Sequence, residues 1–220
     1  IVALNRELRG RGWFDSRTEP DLTQWLDIVA LGTICDSVPL IGLNRALATQ
    51  GLKRMARRGN TGLAALGDVA RINERPTAYH AGFILGPRIN AGGRIGAPDL
   101  GVRLLTTNDP DEAAGLAMKL DGLNAERQAI ERDVLERALA AAEAQAGRNC
   151  VVVAGEGWHP GVIGIVASRV VERFHRPAFV VALNDGIGKG SGRSVAGVDL
   201  GAAVTAARQS DLLVNGGGHP

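Results

Sequence analysis

Residues 149–194 read NCVVVAGEGWHPGVIGIVASRVVERFHRPAFVVALNDGIGKGSGRS. A β-branched run at 151–154 gives way to a glycine-rich turn, then to apolar residues at helical spacing, then to a second apolar run at 178–183. Hydrophobic periodicity that changes from strand to helix and back marks a strand, helix, strand unit. This stretch therefore sets the fold class as α/β. Residues 200–220, LGAAVTAARQSDLLVNGGGHP, add one more helix and a second glycine run.

Upstream the pattern is helical. Residues 1–13 read as a helix end, and residues 19–40 as a short helix running into an apolar segment that stops at Asp36 and Pro39. Residues 42–66 place apolar side chains at helical spacing with basic ones opposite, and FILGPRINAGGRIGAPDLGVRLL reads as a glycine-rich loop leading into a helix. The longest periodic segment covers 109–147. Asp109 can cap it, Pro110 suits its first position, Glu112 can complete a capping box and Gly147 can end it. Leu116, Leu120, Leu123, Ile130 and Val134 form its apolar stripe. Such a helix would reach ~55 Å at 1.5 Å per residue, longer than a small domain is wide. It is expected to connect two domains, with Gly122 the place for a bend. The organisation implied is residues 1–108, a connecting helix at 109–147, and a smaller α/β domain at 148–220.

Composition excludes some classes. The apolar runs are far too short to span a bilayer, and the first residues lack a signal-peptide layout. Cys35 and Cys150 have no metal-type spacing and read as reduced thiols of a cytoplasmic protein. A formal net charge of +2 permits nucleic acid as a partner without arguing for it.

Candidate chemistry lies in five places. Asp36 closes an apolar stretch, so it is either a ligand for a hard cation or a cap beside Pro39; Asp27 reads as structural. Arg88, Asn90 and Arg94 surround glycines in GPRINAGGRIG, where two guanidiniums could hold one phosphate or carboxylate, or else bind helix C-termini. GEGWHPGVIG after a strand invites a dinucleotide-binding reading with Asp185 as ribose acceptor, but Pro160 stands where the third glycine belongs, and His159 could cap the helix or face a cleft. GIGKGSGRS, with Lys189, Ser191, Arg193 and Ser194, and GGGH, ending in His219, are glycine runs that finish in phosphate-friendly side chains, and two together suit an anion cradle.

Taken in order, LDIVALGTICDSVPLIGLNR, GPRINAGGRI, LNAERQAIE, GWHPGVIGIVASR, GKGSGRS and GGGH resemble the DHH phosphoesterase superfamily, and within it the RecJ branch of single-stranded-DNA exonucleases. The resemblance implies the C-terminal part of a DHH catalytic domain, joined by a long helix to a smaller α/β DHH-associated domain. It implies that Asp36 is the metal-binding aspartate, that Ser191, Gly192, Arg193 and Ser194 bind substrate, and that Gly216, Gly217, Gly218 and His219 face the scissile phosphate. It further implies two-metal hydrolysis with Mn2+ or Mg2+, acting from the 5′ end of single-stranded DNA in repair and recombination. A single-strand-binding protein and a helicase are candidate partners, with no membrane. Two other functions stay open: a DHH phosphoesterase of short oligonucleotides or cyclic dinucleotides, and a non-catalytic nucleotide-binding module. The Asp-His-His triplet that names the family is absent from the chain. Residues 1–220 alone are therefore expected to release no nucleotides from 5′-labelled single strands, and chelator-sensitive hydrolysis by them would overturn that division of the site.

Overall fold

The computed structural model describes residues 1–218. The chain divides into two compact units, one of Ile1–Gly92 with Pro98–Gly122, the other of Gly93–Ala97 with the chain from Leu123 onward.

The first unit is helical. It contains α1 (Val2–Gly10), a 3-10 turn at Leu22–Trp25, α2 (Leu26–Cys35), α3 (Gly42–Met55), α4 (Thr61–Val69), a π-helical turn at His80–Leu85, α5 (Gly86–Ile95), α6 (Leu100–Thr106) and the start of α7 (Pro110–Glu143). Helices α2 and α3 pack backbone to backbone. A Cβ on Gly51 would stand 2.0 Å from the Leu26 carbonyl oxygen and 2.4 Å from the Ala30 Cβ. Asp27 is buried on α2, where its Oδ1 accepts from the Ile28 N–H at 2.8 Å. Asn60 caps α4 by accepting from the Leu63 N–H at 2.8 Å while its amide donates to the Leu105 carbonyl at 3.0 Å. Leu66, Leu85 and Leu104 fill the interior.

The segment GPRINAGGRI is helix α5, not the glycine-rich loop its composition suggests. The π-helical turn leads straight into it, so Pro87 lies inside a continuous helical stretch, and the wider turn just ahead of it is where the missing N–H is accommodated. Gly86 is small because a Cβ there would come within 2.4 Å of the Cys35 Sγ. Here glycine marks close packing between helices.

Helix α7 starts at Pro110, with Asp109 Oδ1 accepting from the Asp111 N–H at 2.9 Å and the Glu112 N–H at 3.4 Å. The reciprocal half of the capping box is not made. Glu112 instead accepts from the Thr107 hydroxyl at 2.6 Å and from Arg103 at 2.8 Å. The helix runs through Gly122 without a break and ends at Glu143, ahead of Gly147. The change from one unit to the other falls at Gly122 and Leu123.

The second unit is a three-stranded sheet with two further helices. Strand β1 (Val151–Glu156) pairs in parallel with β2 (Ala178–Asn184), which pairs antiparallel with β3 (Ile187–Arg193). The crossover between β1 and β2 is α8 (Ile163–Phe174), and α9 (Leu200–Gln209) follows β3. His175 takes a left-handed conformation to end α8, and Pro177 prevents its continuation. Val151, Val153, Ala178, Val180 and Ala182 alternate into one core with Val162, Val166 and Val170 around α8, and with Val134, Ala138 and Ala142 of α7. At the outer edge of β1, the Gln145 side chain donates to the Val152 carbonyl at 2.6 Å and accepts from its N–H at 3.0 Å.

Residues 187–193, expected as a glycine-rich loop, form β3. The turn is one step earlier, at Asp185 and Gly186, whose φ values of +48° and +77° fit a two-residue hairpin with both central residues left-handed.

Gly51→Ala tests the α2–α3 contact. Its gain in helix propensity, about 1 kcal/mol, should be outweighed by overpacking, leaving a net loss of about 1 to 2 kcal/mol in chemical denaturation. A stabilised variant would show that the two helices can separate freely.

Candidate functional site

Strand β3 is built from two rows. Gly188, Gly190 and Gly192 lie on one face beneath Leu183, Val181 and Phe179 of β2, and a Cβ on Gly192 would sit 2.5 Å from the Phe179 ring. Lys189, Ser191 and Arg193 occupy the other row, opposite Ala182, Val180 and Ala178. The alternation leaves space above the glycine face and lines up polar groups along the opposite one.

The glycine face opens into a pocket of about 430 Å3, lined by Phe179, Gly190, Gly192, Arg193, Leu200 and Val204, with Ser191, Ser194, Gly201, Gly217 and Gly218 completing the wall. Asp199 caps α9 by accepting from the Ala202 N–H at 2.8 Å, so the first turn of α9 borders the pocket with its positive dipole end. A Cβ on Gly218 would lie 3.3 Å from the Gly201 Cα, so the final glycine run closes against that turn. The structure thus brings Ser191, Gly192, Arg193 and Ser194 together with Gly217 and Gly218, and Gly216 packs beside them against Val204. His219 lies outside the described residues.

On the polar side, Arg193 Nη1 donates to Ser191 Oγ at 3.2 Å and to the Gly192 carbonyl at 2.8 Å. No other described side chain pairs with its exposed guanidinium, leaving donors for an anion. Gly164, in the first turn of α8, faces this pair: a Cβ there would stand 3.1 Å from both Arg193 Nη2 and Ser191 Oγ. Ahead of it, a Cβ on Gly161 would meet the Arg94 carbonyl oxygen at 2.1 Å, and Arg94 Nη1 donates to the Gly161 carbonyl at 3.2 Å. His159 Nδ1 accepts from the Gly161 N–H at 3.0 Å, so in the neutral ring Nε2 carries the hydrogen. His159 therefore fixes the turn before α8. Burial pushes the Arg94 pKa below its ordinary value; Arg127 lowers it further, Glu131 opposes, and Arg193 lowers it again. Arg94 remains a cation. Arg127 is paired with Glu131, whereas Arg94 and Arg193 have no carboxylate partner among the described residues.

Sequence spacing alone missed Asn124, Arg127 and Glu131. They occupy the buried stripe of α7 between Leu120 and Val134, with Arg127 donating to Asn124 at 3.0 Å and pairing with Glu131, while its Nε has no partner among the described residues. Polar residues recurring at helical spacing on an otherwise apolar face were the available signal.

Arg88 and Arg94 do not form the single clamp expected of them. Six residues apart on one helix, they leave the axis about 120° apart and ~9 Å displaced. Arg88 donates to Asp121 at 2.8 Å and to the Ile84 carbonyl at 2.7 Å, a role in the first unit. Asn90 is exposed and makes no side-chain hydrogen bond with described residues. Asp185 directly follows the last residue of β2 and opens the hairpin turn to β3, with a φ of +48°.

Asp36 is the exposed residue after α2, and no described side chain pairs with its carboxylate. The adjacent Cys35 thiol is pushed up by burial and then by Asp36, so it is not a ready thiolate. Among the described residues no three His, Cys, Asp or Glu side chains gather to hold a metal ion. Asp36 offers one ligand, and by themselves these residues do not fit a two-ion centre.

Comparison with known proteins places these features. The DHHA1 domain family matches residues 147–220. The chain is 44% identical to the single-stranded-DNA-specific exonuclease RecJ of Bacillus subtilis, over 89% of this chain and 25% of that protein. It is 41% identical to RecJ of Salmonella typhimurium over all of this chain and 40% of that protein. The chain thus spans well under half the length of these curated relatives. Among solved structures, RecJ from Thermus thermophilus in complex with Mn2+ superposes with a TM-score of 0.79 at 40% identity, covering 91% of this chain and 29% of that one. An exonuclease RecJ bound to manganese gives 0.80 at 39% identity, covering 94% and 51%.

Gly161→Ala should shift the Arg94 backbone and cost about 1 to 3 kcal/mol of stability, while loosening the guanidinium that donates back to the same turn. Denaturation midpoints and pyrophosphate affinity, both expected to fall, are the readouts; unchanged values in both would detach this turn from the site.

Proposed function

Because the chain belongs to the RecJ branch of the DHH phosphoesterases, with a DHHA1 domain at residues 147–220, we propose that it is the strand-holding part of a single-stranded-DNA exonuclease that hydrolyses phosphodiester bonds from the 5′ end. The observation that carries this reading is the pocket between β3 and α9. It sets a half-buried aromatic ring and an apolar wall beside the end of β3 that carries Arg193, whose guanidinium keeps donors available. A nucleotide presents the same combination, an anionic phosphate beside a flat, weakly polar base.

In this reading Arg193 donates to a phosphate oxygen, with Ser191 bracing its guanidinium. Backbone N–H groups at the start of α9 face the same charge. Phe179 offers a surface against which a base can lie, and only an unpaired base has its face free, which favours single strands. Arg94, at the end of α5 and bonded to the turn before α8, supports a neighbouring phosphate. His219 follows the glycine run and is assigned hydrogen-bond donation to a non-bridging oxygen at the scissile phosphate.

The whole enzyme would use Mn2+ or Mg2+, which lower the pKa of bound water and stabilise the leaving oxygen. Asp36 would supply one ligand, and the remaining ligands would come from parts of the relatives that this chain does not span. Action in DNA repair and recombination, in the cytoplasm, alongside a single-strand-binding protein and a helicase, completes the proposal. No helix among the described residues is long and apolar enough to cross a membrane.

Arg193→Ala in the full-length protein should weaken single-stranded-DNA binding by about 1 to 3 kcal/mol and flatten the dependence on salt. Unchanged affinity and slope would remove the phosphate contact. Wild-type protein that degrades dinucleotides but leaves long strands intact would point instead to a short-oligonucleotide phosphoesterase.

A further inference from the structure

From Ser37 to Gly67 the chain contains no acidic residue, yet it carries Arg45, Lys53, Arg54, Arg57 and Arg58. Two of these are engaged in the fold. Arg54 Nε donates to the Gln24 carbonyl at 3.3 Å, and Arg58 pairs with Asp68 at 2.5 Å. The other three are exposed and make no ion pair or side-chain hydrogen bond among the described residues. Arg45 and Lys53 stand on the solvent side of α3, whose opposite side is fixed to α2 through Gly51, and Arg57 lies just past the helix end. With exposed Thr49 they fall at four-residue steps, about 6 Å of rise and 40° of rotation each along the helix.

Helix stability does not explain this row. Lys53 in the last turn complements the helix dipole, but Arg45, near the end of the first turn, opposes it and has no acidic partner. A run of unpaired cations on a rigid helix complements a linear polyanion. Resting on the nuclease reading, we propose that the exposed row Arg45, Lys53 and Arg57 of α3 is an additional track for the phosphate backbone of single-stranded DNA, separate from the pocket between β3 and α9. The contact carries charge and no base readout, so it serves strands of any sequence. A contact of this kind acts on strand binding and not on the chemical step.

The test uses full-length protein bearing Arg45→Gln, Lys53→Gln and Arg57→Gln together, with thermal unfolding as a control for the fold. Three lost contacts should lower the salt slope for a long oligonucleotide by about 2 and weaken its binding by about tenfold or more at moderate salt. The maximal rate on a tetranucleotide should stay unchanged. The conservative pair Arg45→Lys and Arg57→Lys, which keeps the charge, should bind long strands as wild type does, and single Lys53→Gln should lower the slope by about 0.7. A triple variant with wild-type slope and affinity for long strands overturns the track. So does loss of poly-glutamate binding with DNA affinity unchanged, which would make the row a docking site for acidic peptides. Failure of the wild type to cleave any single strand would instead defeat the nuclease reading itself.

Discussion

The mutual contact of Arg94 and Gly161 is the constraint on which the second unit's site depends. Two segments 67 residues apart meet with the backbone of one against the backbone of the other, and a guanidinium closes the contact by donating to the facing carbonyl. Only a residue without a Cβ permits that approach. Once Gly161 is held, His159 accepts its N–H, α8 begins at a fixed point, and Gly164 comes to face Ser191 and Arg193. Residues 93–97 thus belong to the unit whose polar face they complete, although they end a helix that begins in the other.

Electrostatics give the arrangement its chemical direction. Arg127 is nearly buried, satisfied on one side by Asn124 and Glu131 and unsatisfied at Nε, and it adds to the burial that lowers the pKa of Arg94. Glu131 offsets the Arg127 charge, so of these three cations Arg94 and Arg193 are left without a carboxylate among the described residues.

Much of the fold was legible in sequence because its signals were local. The period change across residues 149–194 gave the strand, helix, strand unit, and Asp109 with Pro110 marked the start of α7. Glycine was the ambiguous letter. In α5 it serves helix packing and in β3 it clears space beneath Phe179, yet both read as loops, since composition cannot tell a missing side chain from a flexible backbone. The residues of the β3 pocket were visible as motifs, whereas the separation of Arg88 from Arg94 follows from helical angle and required knowing that the segment was helix. Asn124, Arg127 and Glu131 were hidden because their spacing mimics an apolar stripe.

The bond pair between Gln145 and Val152 has a consequence for how this sheet meets other chains. A side-chain amide presents one donor and one acceptor in the same order as a peptide group, so it satisfies the outward N–H and C=O of Val152 as a neighbouring strand would. An incoming strand must first evict that amide, which raises the barrier to templated growth along β1. Gln145 thus closes the outer edge of β1 with a side chain in the place of a strand.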